Sequence, residues 1–450
     1  MTFALLDVNN MYCSCERVFN PRLVGRPVVV LSSNDGACIA RSNEAKELGI
    51  KMAQPWFQVR HLVRTHGLIA VSANFELYAD MSSRMMAVAA RYAPRQEVYS
   101  IDECFLGFEG VPGDLIAICR DLRAAVLRET GLPTSVGLGA TTTLAKLANH
   151  VGKTADRKPG SYPAHLAQVC NLSLPGPDEL NVILAATEVG AVWGVGRKIA
   201  AALQESGIQT VLDLVRADAA SIRKRFSVVL EKTLLELRGT SCLDMADVED
   251  GPAAKQQILV SRSFGKPMTH IDGIVEAVSE FASRAAERLR QQDGAAGTVN
   301  VFFMTSPFRQ DRQHTVNVTV PMVRPTADSR LLVTVAVDAV RACFRPGFNY
   351  AKAGVMLGNL GPAIVQQREL DLFSGAEASS VGTDTAPARD RAALMDTMDA
   401  LNKRFGRGAV RIGSTTLASS GEEVRSWATK QEKRSPRYTT RWEEMLVVKA

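Results

Sequence analysis

Apolar residues from Phe3 onward run unbroken into Asp7, a pattern that predicts a buried strand with one carboxylate at its end. A second run, Pro27 to Ser32, predicts another strand closed by the turn residues Asn34-Asp35-Gly36. Between Glu76 and Arg91 the apolar spacing suits an amphipathic helix. Glu97 to Ile101 and Cys104 to Phe108 read as paired strands on either side of Asp102-Glu103, so two acids fall at the bend of a β-hairpin. Leu115 to Thr130 predicts a helix, Thr134 to Gly139 a strand and Thr142 to His150 a helix. The whole reads as an α/β domain whose strand ends carry acids.

Pro175-Gly176-Pro177 breaks this pattern, and the text beyond it is helical. Within that stretch Trp193-Gly194-Val195-Gly196-Arg197-Lys198 reads as a glycine hairpin joining two short helices. Past Gly251-Pro252 the order is strand (Ile258 to Phe264), helix (Ile274 to Gln291), strand (Thr298 to Thr305), strand (His314 to Val320), helix (Asp328 to Phe344) and strand (Ala351 to Leu360). That β-α-β-β-α-β succession predicts a ferredoxin-like domain. Ser374 to Ala388, rich in small and polar residues, reads as a flexible linker.

At 450 residues with 46% hydrophobic and 22% charged positions, the chain is expected to form several soluble domains. The start lacks a basic lead and no later apolar run is long enough to span a bilayer, so a cytoplasmic, nucleoid-associated location is expected, with no membrane partner. The eight cysteines show no paired spacing, which argues for reduced thiols and against a zinc site. Net charge is only +6, but from Lys403 onward eleven basic residues stand against five acidic ones. A basic tail of that kind suits contact with a polyanion.

The candidate chemistry lies in the acids. Two adjacent carboxylates beside an apolar strand repel one another unless cations sit between them. Consecutive strand positions face opposite ways, so Asp102 and Glu103 serve one site only if the hairpin bends there. Together with Asp7 they would suit two divalent cations about 3.5–4 Å apart, the arrangement used for in-line phosphoryl displacement. Hard oxygen ligands favour Mg²⁺, with Mn²⁺ as an alternative.

Asp7-Val8-Asn9-Asn10-Met11-Tyr12-Cys13-Ser14-Cys15-Glu16 resembles the opening motif of the Y-family DNA polymerases, and Tyr99-Ser100-Ile101-Asp102-Glu103 their second metal motif. Glu76 to Ser82, Thr143 to His150, Val192 to Arg197, Lys352 to Gly358 and Ser435 to Arg441 extend the likeness, to the UmuC-type branch, over nearly the whole chain. The resemblance implies a multidomain right-hand polymerase: palm (1–11 and 72–174), short fingers (12–71), helical thumb with a helix-hairpin-helix (175–250) and ferredoxin-like little finger (251–362). A linker (363–402) and a basic C-terminal tail (403–450) follow. It implies metal binding by Asp7, Asp102, Glu103 and the Val8 carbonyl, with the three acids catalytic. It makes Lys46 and Lys153 triphosphate ligands, Tyr12 a steric gate against ribose, and Ile39, among the small or short residues 36–40, a neighbour of the nascent base pair.

Gly194, Val195, Gly196 and Arg197 would meet a DNA phosphate through backbone N–H groups. Basic side chains of the little finger, Arg262, Lys266, Arg309 and Lys352, would follow the DNA backbone. Glu369-Leu370-Asp371-Leu372-Phe373 resembles a sliding-clamp motif, although that motif has Gln in first place. Asn43 stands where many Y-family enzymes place a phosphate-contacting tyrosine. The implied activity is error-prone translesion synthesis from deoxynucleoside triphosphates on primer-template DNA, in SOS-type repair and mutagenesis. The implied partners are a cleaved UmuD-type homodimer, a RecA filament and the clamp. These domains use the full length, leaving no segment for a proofreading exonuclease. Rival readings are a catalytically silent DNA-binding scaffold and another palm-type enzyme, which primer extension with deoxy- and ribonucleotides separates.

Overall fold

The computed structural model describes residues 2–243, 255–363, 391–406, 408–413 and 429–447. The chain forms two compact units, Met1–Pro252 with Glu432–Ala450, and Ala253–Gln431.

In the first unit β1 (Phe3–Val8) is buried at all six positions, as a strand covered on both faces must be. Helix α1 (Met11–Phe19) leaves it. There follow β2 (Val28–Leu31), β3 (Cys38–Arg41), the short helices α2 (Asn43–Glu47), α3 (Trp56–Val59) and α4 (Leu62–His66), and β4 (Ile69–Ser72). Strand β2 pairs antiparallel with β3 and parallel with β4, a small sheet with its own apolar cluster. Next come α5 (Phe75–Ala89), β5 (Arg95–Val98), β6 (Glu103–Gly107), α6 (Leu115–Thr130), β7 (Thr134–Gly139), α7 (Thr142–Arg157) and β8 (Val169–Asn171). Among the described residues the larger sheet has the order β5-β6-β1-β7-β8, with β1 antiparallel to both neighbours.

Strand alternation divides β1 between two cores. Ala4, Leu6 and Val8 face a cluster shared with α1, α5 and α6, whereas Phe3 and Leu5 meet Phe105 and Ala145 under α7. Asp7, two residues beyond Leu5, belongs to the α7 side. Helix α7 lies very close to the sheet because β7 presents glycine there. A Cβ at Gly137 would stand 2.1 Å from the Asn149 backbone nitrogen and 2.3 Å from the Ala145 carbonyl oxygen. At Gly139 one would meet the Ala145 backbone nitrogen at 2.7 Å. Asn149 secures the contact by donating to the carbonyls of Leu5 and Ser135 at 3.2 and 3.0 Å.

Helices α8 (Pro177–Ala185), α9 (Arg197–Glu205), α10 (Val211–Arg216), α11 (Ala219–Arg225) and α12 (Val228–Leu237) pack around a third cluster that includes residues of α7. Fully buried Glu236 of α12 accepts from Thr142 Oγ1 and the Thr143 amide at 3.2 Å each. Its other oxygen accepts from the amides of Cys242 and Leu243 at 2.5 and 3.1 Å. The carboxylate thus supplies acceptors and negative charge at the N-terminus of α7.

The second unit runs β9 (Ile258–Met268), α13 (Ile271–Arg290), β10 (Gly294–Thr305), β11 (Thr315–Thr326), α14 (Ser329–Cys343), β12 (Tyr350–Pro362), in sheet order β11-β10-β12-β9. This is the ferredoxin-like succession that the apolar pattern predicts. The stretch expected as a linker over 363–402 ends in a helix, α15 (Ala392–Phe405), because Met395 is buried and Asp399 takes a paired contact from Arg290 Nε and Nη2 at 2.7 Å each. The tail expected as one segment, 403–450, is shared: Glu432–Ala450 belongs to the first unit. The clamp-like residues Glu369, Leu370, Asp371, Leu372 and Phe373, and the linker 374–388, lie outside the described residues. Six of the eight cysteines are buried and all are free thiols, and among the described residues no helix is long and apolar enough to cross a membrane.

Because the atoms facing Gly137 are helix backbone, which gives little, Gly137→Ala is expected to destabilise the first unit by about 3 kcal/mol. Denaturant unfolding checks this, and a loss below about 0.5 kcal/mol would show that α7 is free to lift.

Candidate functional site

Asp7 and Glu103 are directly opposed in the β1–β6 register, so their side chains share the α7 face of the sheet. Lys146 and Lys153 stand seven residues apart on α7, two helical turns, and so project from one face toward that edge. Lys153 Nζ lies 2.5 Å from Asp7 Oδ1 and Lys146 Nζ 2.7 Å from Glu103 Oε2. Burial pushes the Asp7 carboxyl up to about 7, with the nearby Glu103 adding to the rise, while Lys153 pulls it down.

Asp102 occupies the bend between β5 and β6. Its carbonyl accepts from the Val8 amide at 2.9 Å, which fixes the bend against the end of β1. Its carboxylate accepts from Ser100 Oγ at 2.7 Å. Ser100 Oγ in turn accepts from the amides of Asp102 and Glu103 at 3.3 and 3.1 Å. Each expected metal-binding acid therefore has its own protein partner, and among the described residues no three His, Cys, Asp or Glu side chains converge as a metal-binding group.

Asp7, Val8 and Asp102 open on a cleft of about 290 Å³ that Tyr12, Ile39, Lys46 and Lys153 also line. That is near the small end of ligand-sized clefts, about 300 Å³. Lys46 Nζ donates to Asn10 Oδ1 at 2.5 Å, and Asn10 Nδ2 donates to Asn43 Oδ1 at 3.0 Å. Burial, followed by the charges of Arg157, Arg41 and Lys153, pushes the Lys46 ammonium down to about 8. The same two factors, burial and then Arg157 and Lys153, push the His150 imidazole down. These cations make one end of the cleft basic. Arg41 Nη1 donates to the Ile50 carbonyl at 2.7 Å, whereas its buried Nε meets no hydrogen-bond acceptor among the described residues.

Tyr12, the second residue of α1, stands on the cleft wall, its ring stacked on Tyr78 (centroids 4.5 Å, 14°) and edge-on to Phe75 (5.9 Å). Burial and then the Asp102 charge raise its phenol above the ordinary value. Gly194, Val195 and Gly196 form the turn before α9, with Gly194 at φ 86°, Val195 buried and Arg197 opening the helix. Next to that turn, Trp193 packs edge-on to Tyr99 at 5.7 Å. The Lys146 ammonium sits 4.2 Å over the Tyr99 ring and 5.1 Å over that of Trp193.

Sequence reasoning missed Asn10, Arg41 and Lys146. Arg41 stands two residues after Ile39, a strand-period signal that was available. Lys146 and Lys153 share a helical face only if the helix continues past His150, as α7 does to Arg157.

The chain matches the impB/mucB/samB family over residues 6–150, that family's C-terminal domain over 255–372, and a domain of unknown function over 392–448. It is 43% identical to Protein UmuC of Salmonella typhimurium, over 99% of this chain and 100% of that protein. To Protein MucB of Escherichia coli it is 40% identical, over 99% of each. To DNA polymerase IV of Corynebacterium diphtheriae it is 28% identical, over 72% of this chain and 68% of that one. Among solved structures, a Y-family DNA polymerase chimera of Dbh and Dpo4 aligns with TM-score 0.63 at 20% identity, covering 80% of this chain and 100% of the chimera. At that identity the likeness carries the fold.

Asp7 lends itself to a stability test. Its carboxyl is raised above the ordinary 3.8, so ionisation costs stability as pH rises past the unfolded value, and the cost is complete above about 7. Asp7→Asn is expected to stabilise the metal-free protein by roughly 1–3 kcal/mol at pH 8 and by little at pH 4. Denaturation midpoints at the two pH values decide, and a less stable variant at pH 8 would mean that Lys153 outweighs burial.

Proposed function

This chain belongs to the impB/mucB/samB family, and from that premise we propose that it is the catalytic subunit of an error-prone translesion DNA polymerase, extending primer 3′ ends from deoxynucleoside triphosphates in SOS-type repair and mutagenesis. The observation that carries the reading is the cleft itself: buried Asp7 at the end of β1 and half-buried Asp102 at the bend, a basic end and an aromatic wall, all within one compact unit. Full-length similarity to UmuC and MucB supports the assignment to lesion bypass, and we assign the chain no proofreading exonuclease.

Asp7, Asp102, Glu103 and the Val8 carbonyl are hard oxygen donors suited to Mg²⁺ or Mn²⁺. The present partners of Asp7 and Glu103 are cations, which buried Asp7 in particular requires. When bound, two such ions supply activation of the primer hydroxyl and charge neutralisation of the departing pyrophosphate. The protein's own groups do the positioning. Lys46 and Lys153 attract the triphosphate, and Arg41, which also lines the cleft, adds positive charge in the same basic region. Tyr12, backed by Tyr78 and Phe75, is assigned as the wall against the sugar, where its ring would oppose a 2′-hydroxyl. Ile39 and Ala40 line the cleft and are assigned to the face of the nascent pair, where the small Ala40 relaxes shape discrimination.

Gly194, Val195, Gly196 and Arg197 present a helix N-terminus suited to a DNA phosphate. A UmuD-type dimer, a RecA filament and a clamp reached through Glu369 to Phe373 complete the proposed assembly at the nucleoid.

Asp102→Ala, reconstituted with any partner that activity requires, is expected to lose at least about 1,000-fold in nucleotide incorporation while retaining primer-template binding. Incorporation near the parent rate would remove the metal assignment. Tyr12→Ala is expected to lower the deoxy/ribo preference about tenfold or more while keeping part of the deoxynucleotide activity. An unchanged ratio would leave Tyr12 a packing residue.

A further inference from the structure

The segment 432–447 returns to the first unit and lies against the elements that carry Tyr12 and its aromatic support. Ser72 donates its amide to the Lys433 carbonyl at 3.0 Å, and Lys433 returns its amide to Ser72 Oγ at 3.0 Å. Asn74, the N-cap of α5, donates through Nδ2 to Ser435 Oγ at 3.0 Å and to the Pro436 carbonyl at 3.0 Å. The Tyr438 ring stacks on Phe19 of α1 at 4.8 Å and 7°. Arg437 Nε lies 2.6 Å from Glu76, a charge contact without hydrogen-bond geometry.

The central contact is Glu16, 3% exposed and one helical turn beyond Tyr12 on α1. One of its carboxylate oxygens accepts from Tyr78 OH at 2.6 Å and from Ser435 Oγ at 3.0 Å. Burial raises this carboxyl and the two hydroxyls lower it. A buried carboxylate held by hydroxyls is oriented by their geometry, since a lost donor leaves it undersatisfied. Tyr78, fully buried, carries that orientation to Tyr12 through the ring stack.

We propose that segment 432–447 is a strap whose Ser435 hydroxyl, acting through Glu16 and Tyr78, fixes the pose of Tyr12 and so helps set the choice between deoxyribose and ribose; Ser435 and Glu16 are positioning residues. The proposal deepens the gate reading and rests on it. It also gives part of the matched domain of unknown function, residues 392–448, a role inside the polymerase unit.

The test compares the full-length parent with Ser435→Ala, Ser435→Thr, Tyr12→Ala and the Tyr12→Ala/Ser435→Ala double variant, each measured for kcat/KM with deoxy- and ribonucleotides. Loss of one hydrogen bond predicts a fall in the deoxy/ribo ratio of about 3- to 10-fold for Ser435→Ala, with deoxynucleotide use within about 2-fold of the parent. Ser435→Thr, which keeps the hydroxyl, restores the ratio. The double variant shows no fall beyond Tyr12→Ala alone, because both changes act through one ring. An unchanged ratio in Ser435→Ala beside a lowered one in Tyr12→Ala overturns the strap and leaves the gate standing. Equal losses for both nucleotides reduce the strap to a stabilising contact and overturn it as well. An unchanged ratio in Tyr12→Ala overturns the gate reading itself, and the strap with it.

Discussion

The backbone of α7 against the glycines of β7 is the contact on which the site depends. Gly137 and Gly139 hold no side chain on that face, so the helix approaches to a distance at which any Cβ would meet its backbone. Close approach brings Lys146 and Lys153 within reach of Glu103 and Asp7, and the alternation of β1 and β6 puts both acids on the same side. Glu236 acts at the other end of the relationship, joining α12 to the start of α7 through a fully buried carboxylate. The Asp7–Lys153 and Glu103–Lys146 pairs thus derive from one packing choice.

Burial and neighbouring charge set the electrostatics. A carboxylate as buried as Asp7 is disfavoured as an anion, and the fold tolerates it because an ammonium sits beside it. The same burial weakens Lys46 as a cation, and its neighbours Arg157, Arg41 and Lys153 repel it further. A site with crowded positive charge at one end and constrained negative charge at the other is suited to a polyanion arriving together with cations. Strain of this kind is what a protein retains where function requires it.

Much of this was legible in the chain. The apolar run into Asp7 and the ferredoxin-like succession follow from local periodicity, and the structure has both; of the two acids expected at the bend, Asp102 stands there, whereas Glu103 is already the first residue of β6 and pairs with Asp7. What local pattern hides is where polar edges fall. The strand expected over Glu97 to Ile101 is Arg95–Val98, because Ser100 caps the bend through its hydroxyl and takes the next residues out of the ladder. Helix α7 outruns its apolar pattern to Arg157, carried by tertiary packing past His150. Contacts between Ser435 and Glu16 span most of the chain and leave no signature in either neighbourhood, so only the folded unit reveals them.

Asp7, Asp102 and Glu103, proposed here as the ligands of divalent ions for nucleotidyl transfer, are open to direct observation. The most direct measurement is anomalous X-ray scattering from crystals of the chain with Mn²⁺, primer-template DNA and a non-reactive deoxynucleoside triphosphate analogue. Mn²⁺ peaks ligated by these three carboxylates and the Val8 carbonyl, with Lys153 moved off Asp7 toward the triphosphate, are the expected result. An intact Asp7–Lys153 pair beside a bound nucleotide, with Mn²⁺ held elsewhere or not at all, would contradict it.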